Sequence, residues 1–277
     1  MIKTDILIIG AGPTGLFAVF EAGLLQLKCH LIDALPQAGG QCSEIYPKKP
    51  IYDIPGFPEV LAGDLVDNLM EQIKPFQPGF TLGERAETIE KLDDGTFIVT
   101  TNKGTKHHAP IVAIAGGLGS FEPRKPLLEN LEKYEDNGVA YMIKEPEIYR
   151  GKKVLIAGGG DSALDWSIFL ADVADEVTLV HRRNEFRGAL DSVEKVQQLK
   201  NEGKINLITP AEVVALKGED HLERVTVKNT STSEERNVEV DNFIPLFGLS
   251  PKLGPISDWG LEIEKNAIKV DNTYDYQ

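Results

Sequence analysis

Two stretches 148 residues apart follow one plan, and that repeat limits what the chain can fold into more than any other feature. In the first, the apolar run 2–9 ends in Gly10-Ala11-Gly12-Pro13-Thr14-Gly15. Residues 16–25 then have helix-compatible composition, and 28–33 is a short strand ending in an acid. In the second, the apolar run 153–157 leads into Gly158-Gly159-Gly160-Asp161-Ser162-Ala163, followed by a helical stretch 164–171 and a strand 177–180. Shifting the numbering by 148 places Gly10 on Gly158, Gly12 on Gly160, Gly15 on Ala163 and Asp33 on His181. Strand, glycine turn, helix, strand is a βαβ unit. A repeat this far apart means two similar domains, since a solenoid repeats every 20–50 residues or so.

The segments downstream of each unit are also alike. Residues 86–101 read as a hairpin around Asp93-Asp94-Gly95, with 105–115 as the next strand, and 211–228 with 237–247 give a similar meander later. The Gly- and Pro-rich segments 119–126 and 248–255 read as crossings between domains. The expectation is an α/β chain of two Rossmann-like, three-layer ββα dinucleotide-binding domains. One covers 1–118 and 248–277, and the other, 119–247, is inserted in it.

Gly10-x-Gly12-x-x-Gly15 follows a strand and opens a helix, and Asp33 stands 18 residues beyond Gly15. Glycines there let a pyrophosphate approach the helix N-terminus, while an acid at the end of the second strand accepts from a ribose 2′-hydroxyl. This site suits FAD or NAD. Gly158-x-Gly160-x-x-Ala163 lacks the acid and has His181-Arg182-Arg183 in its place, with Arg187 four residues beyond Arg183. Guanidiniums match a phosphate, so the second site is expected to prefer NADPH to NADH. Two such sites suggest electron traffic between NADPH on one domain and FAD on the other.

Charge and cysteine content narrow the partners. With 29 Lys+Arg against 43 Asp+Glu, the net charge of −14 argues against nucleic acid and anionic membrane surfaces. No apolar stretch approaches the roughly 20 residues of a membrane span. Cys29 and Cys42 alone make no disulfide framework, and no secretory signal precedes the first strand. The chain therefore reads as soluble and cytoplasmic.

Together with Gly39-Gly40-Gln41 and His181-Arg182-Arg183-x-x-Phe186-Arg187, the glycine motifs resemble those of thioredoxin-reductase-like flavoproteins. Within that group the chain is most similar to the ferredoxin–NADP reductases of thioredoxin-reductase type. That likeness rests on Gln41-x-x-x-x-Tyr46-Pro47, on Ile51-Tyr52-Asp53-Ile54-Pro55-Gly56-Phe57-Pro58 and on residues 158–166. The resemblance covers essentially the whole chain. It implies FAD contacts at Thr14, Asp33, Gln41, Tyr46, Ala86 and Phe121, ferredoxin or flavodoxin as electron acceptor, and a homodimer. Gln41 has amide groups suited to a flavin's polar edge, and Tyr46 offers a flat ring with a polar tip.

Cysteine separates the relatives. A thioredoxin reductase carries Cys-x-x-Cys shortly before the second glycine motif, where this chain reads Gly138-Val139-Ala140-Tyr141-Met142-Ile143-Lys144. In the glutathione-reductase branch a second cysteine follows the Gly-Gly, and Pro47 stands there instead. Without a dithiol, the expected path is hydride transfer from NADPH to the flavin, then single electrons to the acceptor, with no catalytic protein residue and no metal. Two alternatives are a lone-thiol peroxide reductase using Cys42 and a non-catalytic nucleotide-binding module. Family members continue beyond the equivalent of Gln277 with a strand, a Gly-Asp motif, a helix and a tail over the flavin. The C-terminal part of the first domain is therefore expected to be missing. Acidic ferredoxin would need a local basic patch, such as Lys48-Lys49 or Arg124-Lys125.

Overall fold

A computed structural model describes residues 1–119, 122–135, 137–250 and 252–270. The chain forms two compact units, Met1–Glu122 with Pro251–Gln277, and Pro123–Ser250 between them. These divisions fall a few residues downstream of 118/119 and 247/248.

The first unit is built on a four-stranded parallel sheet in the order Ile111–Ile114, Ile6–Ile9, Cys29–Asp33, Gly79–Leu82. Alternation along the strands sends side chains to both faces. Ile8 and Leu31 pack with Leu16 and Val19 of the helix Pro13–Leu24 and with Val66 and Ile73 of the helix Ala62–Ile73. Leu7, Ile9 and Ile32 pack on the other side with Val99 and Ala109 of an antiparallel meander. Ala86–Lys91, Phe97–Thr101 and Lys106–Ala109 make that meander. The result is three layers, ββα. Across it runs a buried polar string, in which Thr81 Oγ1 lies 2.8 Å from His30 Nε2 and 2.9 Å from His107 Nε2.

The second unit repeats the order with Asn242–Pro245, Lys153–Ala157, Glu176–Val180 and Ile205–Ile208, again all parallel. Its meander, Ala211–Lys217, Arg224–Asn229 and Glu235–Glu239, buries Leu216, Val225 and Val227 against Leu155, Val180 and Phe243. The helices Asp161–Leu170 and Leu190–Asn201 pack on its parallel sheet.

Three runs that read as single strands are each divided. Ile2–Lys3 pairs with His107 and His108 at the meander's edge, whereas Ile6–Ile9 belongs to the parallel sheet. Stretch 105–115 becomes Lys106–Ala109 in the meander and Ile111–Ile114 in the parallel sheet, parted at Pro110, which has no N–H for either ladder. Stretch 237–247 divides in the same way, at 240–241. The two helices begin at Pro13 and Asp161, three residues ahead of the expected starts, because the glycine turns themselves supply the first helical turn.

Candidate functional site

In the first unit, the carboxyl ends of the parallel strands open onto a cavity of about 460 Å³, within the usual range for ligand sites. Gly10, Gly12, Thr14, Asp33, Gln41, Tyr46 and Ala86 all line it. Phe121 lies outside the described residues. The three motif glycines have different duties. Gly10 has φ +109°, and a Cβ there would collide with the Ala115 carbonyl. A Cβ on Gly15 would strike the Gly10 carbonyl, so this glycine lets the helix sit tightly on the turn. Gly12 differs, for the nearest atom to its missing Cβ is Gly40 Cα at 4.0 Å. Protein packing does not require a glycine at 12, so the space beside it is open to an incoming group. Gly12 is also the N-cap of the helix Pro13–Leu24, and no side chain caps that end. Its partly positive N–H groups face the cavity and suit a pyrophosphate.

Asp33 holds this turn in shape. Its Oδ2 accepts from Ala11 N at 2.7 Å and its Oδ1 from Leu35 N at 2.9 Å. Each oxygen keeps a second lone pair for a ribose hydroxyl. Gln41 opens the short helix Gln41–Glu44, and its Nε2 reaches toward Gly117, whose missing Cβ would stand 3.8 Å away. Burial, with Cys42 beside it, pushes the Tyr46 hydroxyl up to about 12, so Tyr46 is a neutral hydrogen-bonding ring. Burial likewise pushes the Cys42 thiol up, although Tyr46 and Lys49 pull the other way. A peroxide-reactive cysteine needs the reverse shift.

Sequence reasoning missed part of the lining. Arg85 and residues 252–256 also face the cavity. The latter follow the second unit in the sequence, and no local pattern marks them.

In the second unit the same division of labour recurs. The position of a Cβ on Gly158 lies 2.7 Å from both Ala163 Cβ and the Leu246 carbonyl oxygen, whereas nothing stands within 4 Å of one on Gly160. Gly160 is the uncapped N-cap of the helix Asp161–Leu170. Ser162 is exposed at that end and Ala163 is buried beneath it. Asp161 Oδ1 accepts from Ala189 N at 2.8 Å, tying the following loop to the helix start. Arg187 N donates to Gly159 O at 2.7 Å, which brings the arginine loop to the glycine turn. Arg182, Arg183 and Arg187 are exposed, and among the described residues no carboxylate pairs with any of them. His181 is set apart from the three, buried to 7 % exposure.

Among the described residues, no group of three or more His, Cys, Asp or Glu side chains could hold a metal, and no helix is long and apolar enough to cross a membrane.

Comparison with known proteins gives concordant results. The pyridine nucleotide-disulphide oxidoreductase family matches residues 4–276. The chain is 78 % identical to ferredoxin–NADP reductase 1 of Christiangramia forsetii, over 100 % of this chain and 79 % of that protein. It is 51 % identical to the ferredoxin–NADP reductase of a Bradyrhizobium species, over 98 % of this chain and 79 % of that one. Among solved structures it is similar to Lactococcus lactis thioredoxin reductase, with TM-score 0.83 and 25 % identity over 98 % of this chain and 86 % of that one. Thioredoxin reductase of T. acidophilum shares the fold, at TM-score 0.86 and 22 % identity over 98 % of this chain and 86 % of that one.

Proposed function

This chain belongs to the pyridine nucleotide-disulphide oxidoreductase family, and on that premise we propose that it is an FAD-dependent reductase carrying electrons from NADPH to ferredoxin. One observation carries the reading. Two glycine turns of one design, each open at its middle glycine, are followed by opposite charges, Asp33 in one unit and Arg182, Arg183 and Arg187 in the other. An acid accepts from a free ribose hydroxyl, and guanidiniums bind a ribose phosphate. The unit Met1–Glu122 with Pro251–Gln277 is therefore assigned to FAD, and Pro123–Ser250 to NADPH.

The residues fit both groups. For FAD, Gly10 and Gly15 shape the turn and Gly12 leaves the pyrophosphate path open, Thr14 stands at the helix start, and Asp33 would take the ribose. Gln41 and Tyr46 would meet the flavin's polar edge, with Ala86 as a packing contact, and the resemblance adds Phe121. For NADPH, Gly158, Gly160, Asp161, Ser162 and Ala163 form the turn, and the arginines take the 2′-phosphate. His181, expected among these cations, is instead buried beneath them. FAD, when bound, supplies acceptance of a hydride from NADPH and release of electrons one at a time. The protein contributes binding, orientation and a hydrogen-bonded setting for the rings, and no side chain need carry a proton. With only Cys29 and Cys42, both buried and both with thiols pushed up, no thiol relay stands between flavin and acceptor.

Lys48-Lys49 and Arg124-Lys125 are the basic pairs offered to an acidic acceptor. Lys49 Nζ lies 5.7 Å from the centre of the Tyr46 ring, which lines the cavity. Lys125 pairs with Glu135 at 2.6 Å. The resemblance extends the proposal to flavodoxin as an acceptor and to a homodimer. Cysteine usage supports the cytoplasm as its compartment.

The test is anaerobic addition of NADPH to the purified flavoprotein, followed by cytochrome c reduction with and without ferredoxin. Bleaching of the flavin bands and a ferredoxin-dependent rate are expected. Equal rates in the two assays would overturn the assignment of ferredoxin.

A further inference from the structure

Three exposed guanidiniums recognise a phosphate only if the loop bearing them is held still. The side chain doing this is buried. His181 ends the strand Glu176–Val180, and its backbone is fixed on both sides: its N–H donates to Ile208 O at 3.2 Å, and its carbonyl accepts from Ala211 N at 2.8 Å. The ring fills the space that any side chain at Gly159 would need. It also stacks on Phe186, with centroids 5.1 Å apart and planes 21° from parallel. Its Nε2 lies 3.1 Å from the Glu185 carbonyl oxygen. A carbonyl only accepts, so Nε2 carries the hydrogen and the tautomer is settled. Burial chiefly, then the neighbouring guanidiniums, holds the imidazole below its ordinary pKa against the pull of the Glu185 carbonyl, so the ring is neutral at physiological pH. The loop is also attached by Arg187 N to Gly159 O, by Thr230 Oγ1 to Arg182 O at 3.2 Å and by Ala189 N to Asp161 Oδ1 at 2.8 Å. The imidazole touches both the glycine turn, at Gly159, and the middle of the arginine loop, at Glu185 and Phe186.

We propose that His181 is a positioning residue for coenzyme choice. Its ring, packed on Gly159 and Phe186 and donating to the Glu185 carbonyl, fixes Arg182, Arg183 and Arg187 against the glycine turn. It thereby sets the preference for a 2′-phosphorylated ribose without touching the nucleotide. This rests on the second unit's being the NADPH site. A guanidinium displaced from its phosphate forfeits a charge-assisted hydrogen bond, a loss of about tenfold in affinity.

The test compares wild type, His181→Ala, His181→Phe and Arg182→Ala/Arg183→Ala. Calorimetric titration with 2′,5′-ADP and with 5′-AMP, which differ by the 2′-phosphate alone, gives a readout that needs no turnover. KM and kcat for NADPH and NADH with ferricyanide give the second. His181→Ala should weaken 2′,5′-ADP and raise the NADPH KM about tenfold, leaving 5′-AMP, the NADH KM and both kcat values within about twofold. His181→Phe keeps the stack and loses only the hydrogen bond, so it should fall between. It also serves as the test should the alanine variant unfold. Equal weakening of both ligands, or unchanged 2′,5′-ADP binding in both His181 variants, would overturn the proposal. If the double arginine variant also binds 2′,5′-ADP normally, the NADPH-site reading itself fails. If it binds poorly while the His181 variants bind normally, only the positioning role fails.

Discussion

His30 makes this fold acid-sensitive in a calculable way. The ring is 8 % exposed and shares the Thr81 hydroxyl with His107, its own centroid 4.9 Å from that of His107. With both rings neutral the Thr81 hydroxyl serves both, one imidazole donating to it and it donating to the other, while His107 Nδ1 is buried without a partner among the described residues. Burial, and then the facing His107, lowers the His30 imidazole from 6.5 to about 4. His107 is also lowered by burial, although Glu84 pulls it upward. The native state therefore keeps His30 neutral, while the unfolded chain takes up a proton once the pH drops below 6.5. The group's full contribution is present above pH 6.5, declines as the pH falls, and is exhausted below about 4. At about 1.4 kcal/mol per pH unit, the loss amounts to roughly 2 kcal/mol at pH 5. The assay is urea unfolding of wild type and His30→Gln at pH 7.5 and 5. Trp259, packed in the first unit, reports the transition in a Trp166→Phe background that silences the other tryptophan. The carboxylates titrate alike in both proteins and cancel. His30→Gln should lose roughly 2 kcal/mol less than wild type between the two pH values. Parallel losses within about 0.5 kcal/mol would refute the reasoning.

The nucleotide site carries further expectations. Gly12→Ala should leave thermal unfolding of the apoprotein unchanged yet purify without flavin colour, since its methyl meets only the cavity; Gly15→Ala should cost about 1–3 kcal/mol by denaturation, because its methyl strikes the Gly10 carbonyl. Asp33→Ala should strip FAD and loosen the turn by about 1–3 kcal/mol, as Ala11 N and Leu35 N lose their acceptor; flavin retention on dialysis and a melting curve test the two effects separately. Cys42→Ser should keep NADPH–ferredoxin turnover within about twofold, and a collapse in rate would mean that the thiol takes part in the chemistry.

Both βαβ units and the contrast between Asp33 and the arginines are readable from local sequence, because a glycine turn and the charge after the next strand lie within one short window. Which sheet a strand joins is not. Apolar runs report burial, and 2–9, 105–115 and 237–247 pass from one layer to another without losing their apolar character. A proline marks one break, but Val240-Asp241 has no equivalent signal. Within the site, Asp33 and Gly12 could be assigned from spacing. The inward turn of His181 could not, since Gly159, Phe186 and the Glu185 carbonyl create that slot only once the loop is closed. The contribution of 252–256 to the cavity was hidden for a different reason, its separation from the other walls by more than a hundred residues.

That same separation gives synthesis on the ribosome a fixed order of events. Ile256 is a core residue of the first unit, yet it is translated after the whole of Pro123–Ser250. The second unit's strands are all contained in one continuous segment, so they can assemble as soon as Asn242–Pro245 emerges. The earlier-made sheet must wait, its meander-side core unfinished and its nucleotide cavity lacking a wall, until the chain comes back. The polypeptide's first half is thus the last to mature, and its exposed interval grows with any slowing of translation between the two halves. A ligand of that cavity can be enclosed only at the end of that interval.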